Sequence, residues 1–472
     1  MDLKKSKRLI WILAAIYWVF AIGIYGIAQE QFHYSMQVSD APEGSYVIGQ
    51  IVDGMELRQE MEVTSDAVTA LEIYTGTYNR DNAGTMTLKL TNAAGTAVAE
   101  KTVDLSDVLN DQYTRLELGE ELPVQKNEVL TLTLTTQGCS EDNAITLYAG
   151  NSEKLSVYEL NGEAATGTLC VRFSGYNQLN FYWIYWILVV AAFALLAVYT
   201  YYCWYHAIRG KSNPLVSLCT VYSRYSFLLK QLVMRDFKTK YKRSALGMAW
   251  SFVNPLLTMM VQYIVFSTLF NSNIHNYPVY LLTGIVFFTF FNECLSLGMT
   301  SITSNASLIK KVYMPKYIYP VSRILSSLIN FAFALMPLFL VIILTGTRIT
   351  PAIFLLLFDI VCLLGFVIGM TLLLTTAMTF FQDTQFLWSV VSMMWQYVTP
   401  IFYPETIIPA PLLPIYRLNP MYQFITFART CIIQGISPAP QAYFNCLITS
   451  AAVLLLGIAV FKKHQNKFVL YL

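Results

Sequence analysis

Residues Ser244–Asn292 read SALGMAWSFVNPLLTMMVQYIVFSTLFNSNIHNYPVYLLTGIVFFTFFN and contain no Asp, Glu, Lys or Arg. A helix that crosses a bilayer needs about 20 apolar residues, because each residue rises ~1.5 Å through a hydrocarbon core of ~30 Å. The run is too long for one crossing, and the polar segment Asn271–Asn276 divides it into two. This stretch predicts an α-helical polytopic membrane protein.

Apolar runs elsewhere predict further spans, and the composition agrees, since 55% of the 472 residues are hydrophobic and 13% are charged. Such a composition excludes an ordinary soluble enzyme. The run Leu9–Ala28 follows basic residues, as in a signal peptide, but it lacks a small-residue cleavage pattern, which favours an uncleaved anchor. About eight spans are expected in total, the others being Phe181–His206, Tyr319–Leu344, Ile353–Phe381, Phe386–Tyr403 and Ala442–Phe461.

Charge is distributed unevenly along the chain. Residues 29–180 hold 23 acidic and 8 basic side chains, a balance of −15, which leaves 6 of the 29 acids and 23 of the 31 bases for the rest. Cytoplasmic loops of membrane proteins carry an excess of Lys and Arg. The basic N-terminus and the basic segments at 209–243, 310–316 and 462–467 therefore predict cytoplasmic termini, with the acidic block outside.

The acidic block has the pattern of an all-β domain. Segments such as Thr85–Thr91 and Val129–Thr135 alternate apolar and polar residues, and Asn- and Gly-containing turns separate them. Alternation with period two at this spacing predicts an antiparallel β-sandwich of jelly-roll type. We expect it at 31–178, between a first transmembrane segment at 1–30 and a second at 179–210. Its two cysteines, Cys139 and Cys170, are compatible with a disulfide or with two free thiols.

A polar and aromatic strip in this block is a candidate glycan-binding surface. Aromatic rings stack on sugar rings, while acids, amides and Arg take hydroxyl groups. The candidates are Tyr74, Tyr78, Asn79, Arg80 and Asn82. The alternative is that Tyr74 belongs to the core and that 77–82 is an ordinary loop.

Four ordered blocks in the second half carry a family resemblance. The first comprises Arg235, Asp236, Tyr241, Arg243, Leu246, Gly247, Trp250 and Pro255; the others are Asn305–Pro315 with Pro320, Trp395–Pro404, and Leu418–Pro420 with Arg429. Together they resemble the ABC-2-type permeases that export O-antigen, teichoic acid and capsular polysaccharide. Met314 departs from the pattern, since Phe is more usual there. The resemblance covers about Val221–Leu472 and not the β-sandwich.

The resemblance implies a transport subunit in the plasma (inner) membrane of a bacterium, with a permease domain of six transmembrane helices at 221–472. It implies a homodimer that moves a lipid-linked polysaccharide and works with two copies of a separate ATPase, which bind ATP and Mg. No catalytic residue, cofactor, metal or nucleic acid is expected for this chain. An amphipathic interface helix at 221–243 and a cytoplasmic coupling loop would contact the ATPase through Arg235, Asp236, Lys238, Tyr241, Arg243, Asn305, Leu308, Ile309, Lys311 and Pro315.

Aromatic residues in two spans are candidates for lining the pathway, because they bind successive sugar rings weakly; ordinary packing is the alternative. The acids Glu293 and Asp359 lie at expected membrane depth, where an ionisable group is a functional candidate, although helix–helix hydrogen bonding explains it equally well. The channel candidates are Trp250, Phe287, Phe291, Glu293, Trp395, Tyr397, Phe402 and Tyr403. Two other functions stay open: an ABC-2 exporter of a drug or small lipid, and a membrane-anchored glycan receptor.

Overall fold

The computed structural model describes residues 3–42, 44–80, 82–108, 110–152, 155–179, 181–208, 214–242, 244, 246–270, 276–311 and 314–472. The chain forms two compact units. One unit comprises Met1–Gln31 with Ile184–Leu472 and is helical, and the other comprises Phe32–Trp183 and is built mainly of strands.

The β unit contains two antiparallel sheets. The seven-stranded sheet has the order β1-β13-β4-β9-β12, with β2 paired to β9 and β7 paired to β4, and the six-stranded sheet has the order β11-β10-β3-β8-β5-β6. The strands are β1 Tyr34–Val38, β2 Tyr46–Val47, β3 Glu56–Glu62, β4 Ala67–Gly76, β5 Thr85–Thr91, β6 Ala97–Asp104, β7 Gln112–Pro123, β8 Val129–Gln137, β9 Thr146–Gly150, β10 Glu159–Leu160, β11 Glu163–Ala164, β12 Thr168–Leu169 and β13 Val171–Gln178.

The core of the β unit follows from alternation along the strands. In β8, Leu130, Leu132 and Leu134 are buried while the residues between them are not, because successive side chains of a strand point to opposite faces. These leucines join a single apolar cluster with Leu71 and Phe173 of the other sheet. The predicted antiparallel sandwich is confirmed. Cys139 and Cys170 are buried free thiols, so the disulfide left open by the sequence is not formed.

The helical unit is made of helices of very different length. Its helices are α1 Leu3–His33, α2 Phe181–Ile208, α3 Pro214–Lys240, α4 Trp250–Phe270, α5 Tyr277–Met299, α6 Ala306–Lys311, α7 Ile318–Leu344, α8 Leu356–Phe380, α9 Thr384–Val398, α10 Leu413–Arg417, α11 Pro420–Arg429, α12 Pro440–His464 and α13 Phe468–Tyr471.

Six helical stretches within the described residues are long and apolar enough to cross a membrane: Phe181–Cys203, Gly247–Ser267, Tyr277–Met299, Ile318–Leu344, Pro351–Phe380 and Pro440–Tyr471. Each corresponds to a predicted span. The run Leu9–Ala28 lies within α1, which is not among the six, and its crossing stays a prediction. The predicted span Phe386–Tyr403 was wrong in extent, because α9 has 15 residues and ends at Val398. At ~1.5 Å per residue it is too short for a core of ~30 Å, and Pro400 follows its end.

The α1 and α2 helices pair side by side through aromatic residues. The Tyr17 hydroxyl donates to the Val189 carbonyl at 2.7 Å, and the Tyr185 hydroxyl donates to the Ala21 carbonyl at 2.6 Å. Since the register falls along one helix as it rises along the other, the two are antiparallel. Most described side chains of α2 are exposed in the chain by itself and Cys203 is buried, as expected of a helix whose remaining surface faces lipid.

The α5 helix is the centre of the helical bundle, with 16 of its 23 residues buried. Small residues allow α8 and α12 to pack closely against each other. A Cβ on Gly457 would lie 2.3 Å from the Gly369 carbonyl oxygen, so only glycine permits this backbone approach. Small residues serve the same purpose where membrane helices pack closely.

Candidate functional site

The C-terminal part of α3 lies against the bundle rather than free in the membrane interface. The helix runs from Pro214 to Lys240, so it begins earlier and ends earlier than the predicted 221–243, and Arg243 lies outside the described residues. Leu232, Val233 and Phe237 are buried, while Lys238 is exposed. The buried apolar side chains therefore pack on the bundle and Lys238 points away from it, whereas Lys240 turns inward to Glu293.

An ion-pair cluster ties this helix to α7. Asp236 accepts two hydrogen bonds from Arg235, at 2.9 and 3.1 Å, and its second carboxylate oxygen lies 3.3 Å from Nη1 of Arg323. The Arg323 contact is an ion pair by distance alone, since that oxygen has no partner in hydrogen-bond geometry. Arg235 also reaches the Asn305 side-chain oxygen at 3.4 Å. With 6% of its side chain exposed, Asp236 is a buried charge held by two cations.

Glu293 joins α3 to α5 and α7. Its Oε1 accepts from Nζ of Lys240 at 2.8 Å, from Nδ2 of Asn330 at 2.7 Å and from Oγ of Ser327 at 3.2 Å. The Tyr241 hydroxyl donates to Oδ1 of Asn330 at 3.0 Å, which continues the network toward the start of α4. These contacts agree with the helix–helix hydrogen bonding that the sequence analysis gave as the alternative for Glu293, and one of the partners is a lysine of the interface helix.

Two adjoining cavities, of about 350 and 760 Å³, share Lys240, Glu293 and Asn330 in their walls. We call this pair of cavities the polar cleft. The smaller cavity also includes Trp250, and the larger includes Asp236. The described lining residues of the larger cavity include three cations, Arg235, Lys240 and Arg323, and two carboxylates, Asp236 and Glu293. With this excess of positive charge, the cleft suits a ligand that has a negatively charged group.

The predicted coupling segment presents only part of its surface outward. Asn305 and Ile309 are buried and Leu308 is half-buried, because the two apolar side chains pack in a cluster with Tyr319 and Phe468. Lys311 is exposed and Pro315 is half-buried. Contact of any of these residues with an ATPase stays a prediction; their packing shows what holds the short α6 helix in place.

The predicted channel aromatics divide into buried and exposed groups. Phe287, Phe291 and Phe402 are buried inside the chain, which agrees with packing for these three. Trp395 is half-buried and donates its indole N–H to Oδ1 of Asn419 at 2.8 Å. Tyr397 is exposed, Trp250 lies at the polar cleft, and the Tyr403 hydroxyl donates to the Tyr397 carbonyl at 2.9 Å. A pathway role for them stays a prediction.

Asp359 differs from Glu293 in its surroundings. It lies in the first turn of α8, is completely buried, and neither of its carboxylate oxygens has a hydrogen-bond partner among the described residues. It therefore belongs to the packed interior of the bundle and not to the polar cleft.

Arg429, the buried last residue of α11, contacts α5 near Tyr280, at the end of α5 that lies away from Glu293. Its guanidinium donates to the carbonyls of Pro400 at 2.7 Å, of Ile401 at 3.1 Å and of Tyr280 at 3.1 Å, and it stacks 3.3 Å from the Tyr280 ring centroid. Gly284 makes room for it, since a Cβ there would lie 2.9 Å from Nη2 of Arg429. The carbonyls of Pro400 and Ile401, which follow the end of α9, thus accept hydrogen bonds from Arg429. Backbone groups inside a membrane protein need such partners because lipid offers none.

The predicted glycan candidates are not one continuous strip. Tyr74 is half-buried on β4, on the sheet face away from the sandwich core, so the core alternative is wrong for it. Tyr78 and Asn79 are exposed. Arg80 donates to the carbonyls of Glu141 and Ala144, and the buried Asn82 donates to the Thr77 carbonyl; these two pin the loop.

Sequence reasoning missed Arg323, Ser327 and Asn330, which complete the polar cleft. A signal for them exists, because these three residues recur every three or four positions along α7 and so share one face. Their partners on α3 and α5 could not be read from any local pattern.

The fold and this site define a polytopic helical membrane protein in which an interface helix is tied by ion pairs to two spans, and which carries a separate β-sandwich. Comparison with known families is more specific. Residues 228–433 match the profile described as "ABC-2 type transporter". The chain therefore contains an ABC-2 transporter permease domain.

Curated relatives match about half of this chain and nearly all of their own length. The O-antigen export system permease protein RfbA of Myxococcus xanthus is 28% identical over 52% of this chain and 95% of its own. The capsule polysaccharide export inner-membrane protein CtrC of Neisseria meningitidis is 24% identical over 50% of this chain and 90% of its own. Among solved structures, the match to CsCBM6-3 from Clostridium stercorarium in complex with cellobiose covers 29% of this chain and 92% of that one, at 14% identity and a TM-score of 0.16.

Proposed function

We propose that this chain is the permease subunit of an ATP-driven exporter that moves a lipid-linked cell-surface polysaccharide from the cytoplasm to the outside. The observation that carries the proposal is the similarity along at least nine tenths of the length of two polysaccharide-export permeases. ATP and Mg bind to a separate ATPase, present in two copies on a homodimer of this chain. The chain itself is a transport subunit and not an enzyme, and it acts on no nucleic acid.

The proposed placement is a bacterial plasma (inner) membrane, with both termini cytoplasmic and the β-sandwich outside. The distribution of basic segments supports it, because cytoplasmic loops are rich in Lys and Arg and the sandwich is acidic. In that orientation the polar cleft, at the Lys240 end of α3, opens toward the cytoplasm. We further propose that the sandwich binds the exported glycan.

The polar cleft would receive the anionic linkage between the carrier lipid and the glycan. Arg235, Lys240 and Arg323 supply donors, and Arg in particular suits the oxygens of a phosphate group. Each of these cations is already paired with Asp236 or Glu293, so a ligand that competes for them would loosen the attachment of α3 to α5 and α7. Such an exchange links substrate arrival to movement of the helix that is expected to meet the ATPase.

The test is reconstitution of the full chain with its ATPase in proteoliposomes, with lipid-linked polysaccharide extracted from the source cells as substrate. We expect substrate to stimulate ATP hydrolysis and glycan to cross the membrane, and Lys240→Gln to reduce that stimulation several-fold. Lys463→Gln is the matched control, because Lys463 is exposed on α12 away from the cleft. Stimulation by small amphiphilic drugs and none by the lipid-linked glycan would refute the proposal in favour of the drug-exporter alternative.

A further inference from the structure

The outward face of the seven-stranded sheet carries a row of three tyrosines from three different strands. Tyr74 on β4 is the direct register partner of Tyr113 on β7, and their ring centroids are 5.0 Å apart. Tyr148 on β9 lies on the other side of Tyr74, at 4.6 Å. All three are half-buried. We call these residues the tyrosine row.

A second row, of charged residues, runs beside the first. Glu72 is the register partner of Arg115 and of Arg172, and its carboxylate lies 3.5 and 2.7 Å from them. Ser174 donates to the same carboxylate at 2.7 Å. The Arg172 guanidinium lies 3.8 Å from the Tyr113 ring centroid, so it covers one face of that ring and keeps the row in place.

The tyrosine row continues into exposed polar groups at the end of the sheet. The Tyr148 hydroxyl donates to Oδ1 of Asp111 at 2.5 Å, and Nδ2 of Asn110 donates to the Asn79 side-chain oxygen at 2.8 Å. Tyr78, 43% exposed, stands beside Asn79. Tyr78, Asn79 and Asp111 all have positive φ, near +55°, a conformation that is costly for residues other than glycine and that persists where the surrounding structure imposes it.

This combination of groups is suited to sugars. A tyrosine offers a rigid apolar ring with a polar tip, which can cover the C–H face of a pyranose at little conformational cost. The Tyr74 and Tyr113 hydroxyls have no hydrogen-bond partner in the part of the chain that the structure describes, so both are available to a ligand. Carboxylate and amide groups of Asp111 and Asn79 take ring hydroxyls at one end of the row.

The negative charge of the β unit favours an uncharged sugar over an anionic one. Residues 29–180 carry a balance of −15, and the two arginines beside the tyrosine row are neutralised by Glu72 and by Glu117, which lies 2.8 Å from Arg115. A polyanion would meet repulsion from the unit as a whole, reduced but not abolished by screening over ~8 Å at physiological salt. An uncharged glycan would meet no such electrostatic repulsion.

We propose that the tyrosine row, with Asp111 and Asn79 at its end, binds an uncharged oligosaccharide segment, one that lacks uronic acid, sialic acid and phosphate groups. The inference rests on the proposed function, since the exported chain is the glycan that this face would meet. It adds to that function a site, assembled from β4, β7 and β9, and a selection against anionic glycans.

The test uses the full chain in lipid nanodiscs and surface polysaccharide released from the source cells, labelled at its reducing end. We expect Tyr113→Ala to weaken binding about tenfold or more, because it removes one ring and frees Arg172. Tyr74→Phe keeps the packing and loses one hydroxyl, so it should weaken binding a few-fold without changing the melting temperature. Thr135→Ala is the control, since Thr135 is exposed on β8 of the other sheet.

Binding that is unchanged between about 50 and 500 mM salt supports an uncharged ligand, because screening acts on charge–charge contacts. Equal affinity of wild type, Tyr113→Ala and Tyr74→Phe overturns the site, as does a wild-type chain that binds no glycan. Binding of an anionic glycan through the same tyrosines overturns the selection. Export by the same proteins in proteoliposomes separates the two proposals: export without binding refutes only this inference, and absence of wild-type export refutes the proposed function.

Discussion

Glu293 is the residue through which the attachment of the interface helix is best tested. Its Oε1 accepts from Lys240, Asn330 and Ser327, and 20% of its side chain is exposed. Glu293→Gln keeps the shape and an acceptor oxygen for Asn330 and Ser327 but removes the charge. We therefore expect the end of α3 to be held less firmly, while the bundle keeps its fold.

The magnitude follows from the exposure of the pair. Lys240 has 41% of its side chain exposed, so solvent screens the ion pair, and its direct contribution is about 0.5–1 kcal/mol. The bonds from Asn330 and Ser327 weaken when their acceptor becomes neutral, by about 0.5–1 kcal/mol in total. The free energy of opening of the α3 end should thus fall by about 1–2 kcal/mol, which corresponds to roughly 5- to 30-fold faster exchange of its amides.

Hydrogen–deuterium exchange of the full chain in nanodiscs measures this opening directly, through peptides that cover residues 232–242. A double-mutant cycle of Glu293→Gln with Lys240→Met isolates the pair, and a coupling of about 0.5–1 kcal/mol is expected. Unchanged exchange in Glu293→Gln, or a coupling of zero, would show that the contact does not hold α3. Exchange of β8 in the β unit serves as the internal reference.

Three further predictions concern other parts of the chain. Gly284→Ala places a Cβ within 2.9 Å of the Arg429 guanidinium, and should lower the melting temperature of the purified protein through a loss of about 1–3 kcal/mol. The hydrogen bond to Asp111, with burial, raises the pKa of Tyr148 to about 12; the stability that this bond adds is present below the ordinary tyrosine pKa of 10 and is lost between pH 10 and 12, as ultraviolet titration of wild type and Asp111→Asn should show. Burial raises the pKa of the Cys170 thiol to about 11, so an impermeant maleimide should label it only after unfolding, as mass spectrometry will report.

Each of these has an outcome that contradicts it. Gly23→Ala is the control for Gly284→Ala, since a Cβ on Gly23 meets nothing within 4 Å, and equal melting temperatures of the two variants would show that Arg429 moves aside freely. If Tyr148 titrates near pH 10 in the wild-type protein, its hydroxyl does not hold the hydrogen bond to Asp111, and the prediction fails. Rapid labelling of Cys170 in the folded protein would show that its segment opens.

The sequence by itself determined the spans and the strand-rich character of 31–178. A crossing depends on about 20 consecutive apolar residues, and a half-buried strand on alternation, so both are local properties that a single chain displays. Six predicted spans coincide with candidate spans for this reason. The exception at Phe386–Tyr403 is also local in origin, because apolar character runs on past Val398 although the helix stops before Pro400.

Only the tertiary structure decided which residues act together. Lys240 and Glu293 are 53 positions apart, and the tyrosine row draws Tyr74, Tyr113 and Tyr148 from strands whose register no local pattern reveals. The loop alternative for 77–82 left open which carbonyls Arg80 and Asn82 would bind, and the structure identifies them as those of Glu141, Ala144 and Thr77. The physical reason is that a charge or a hydrogen-bond donor pairs with whichever group the folded backbone places near it, often far away in sequence. The periodicity of apolar residues indicates only which face of a helix or strand each residue occupies.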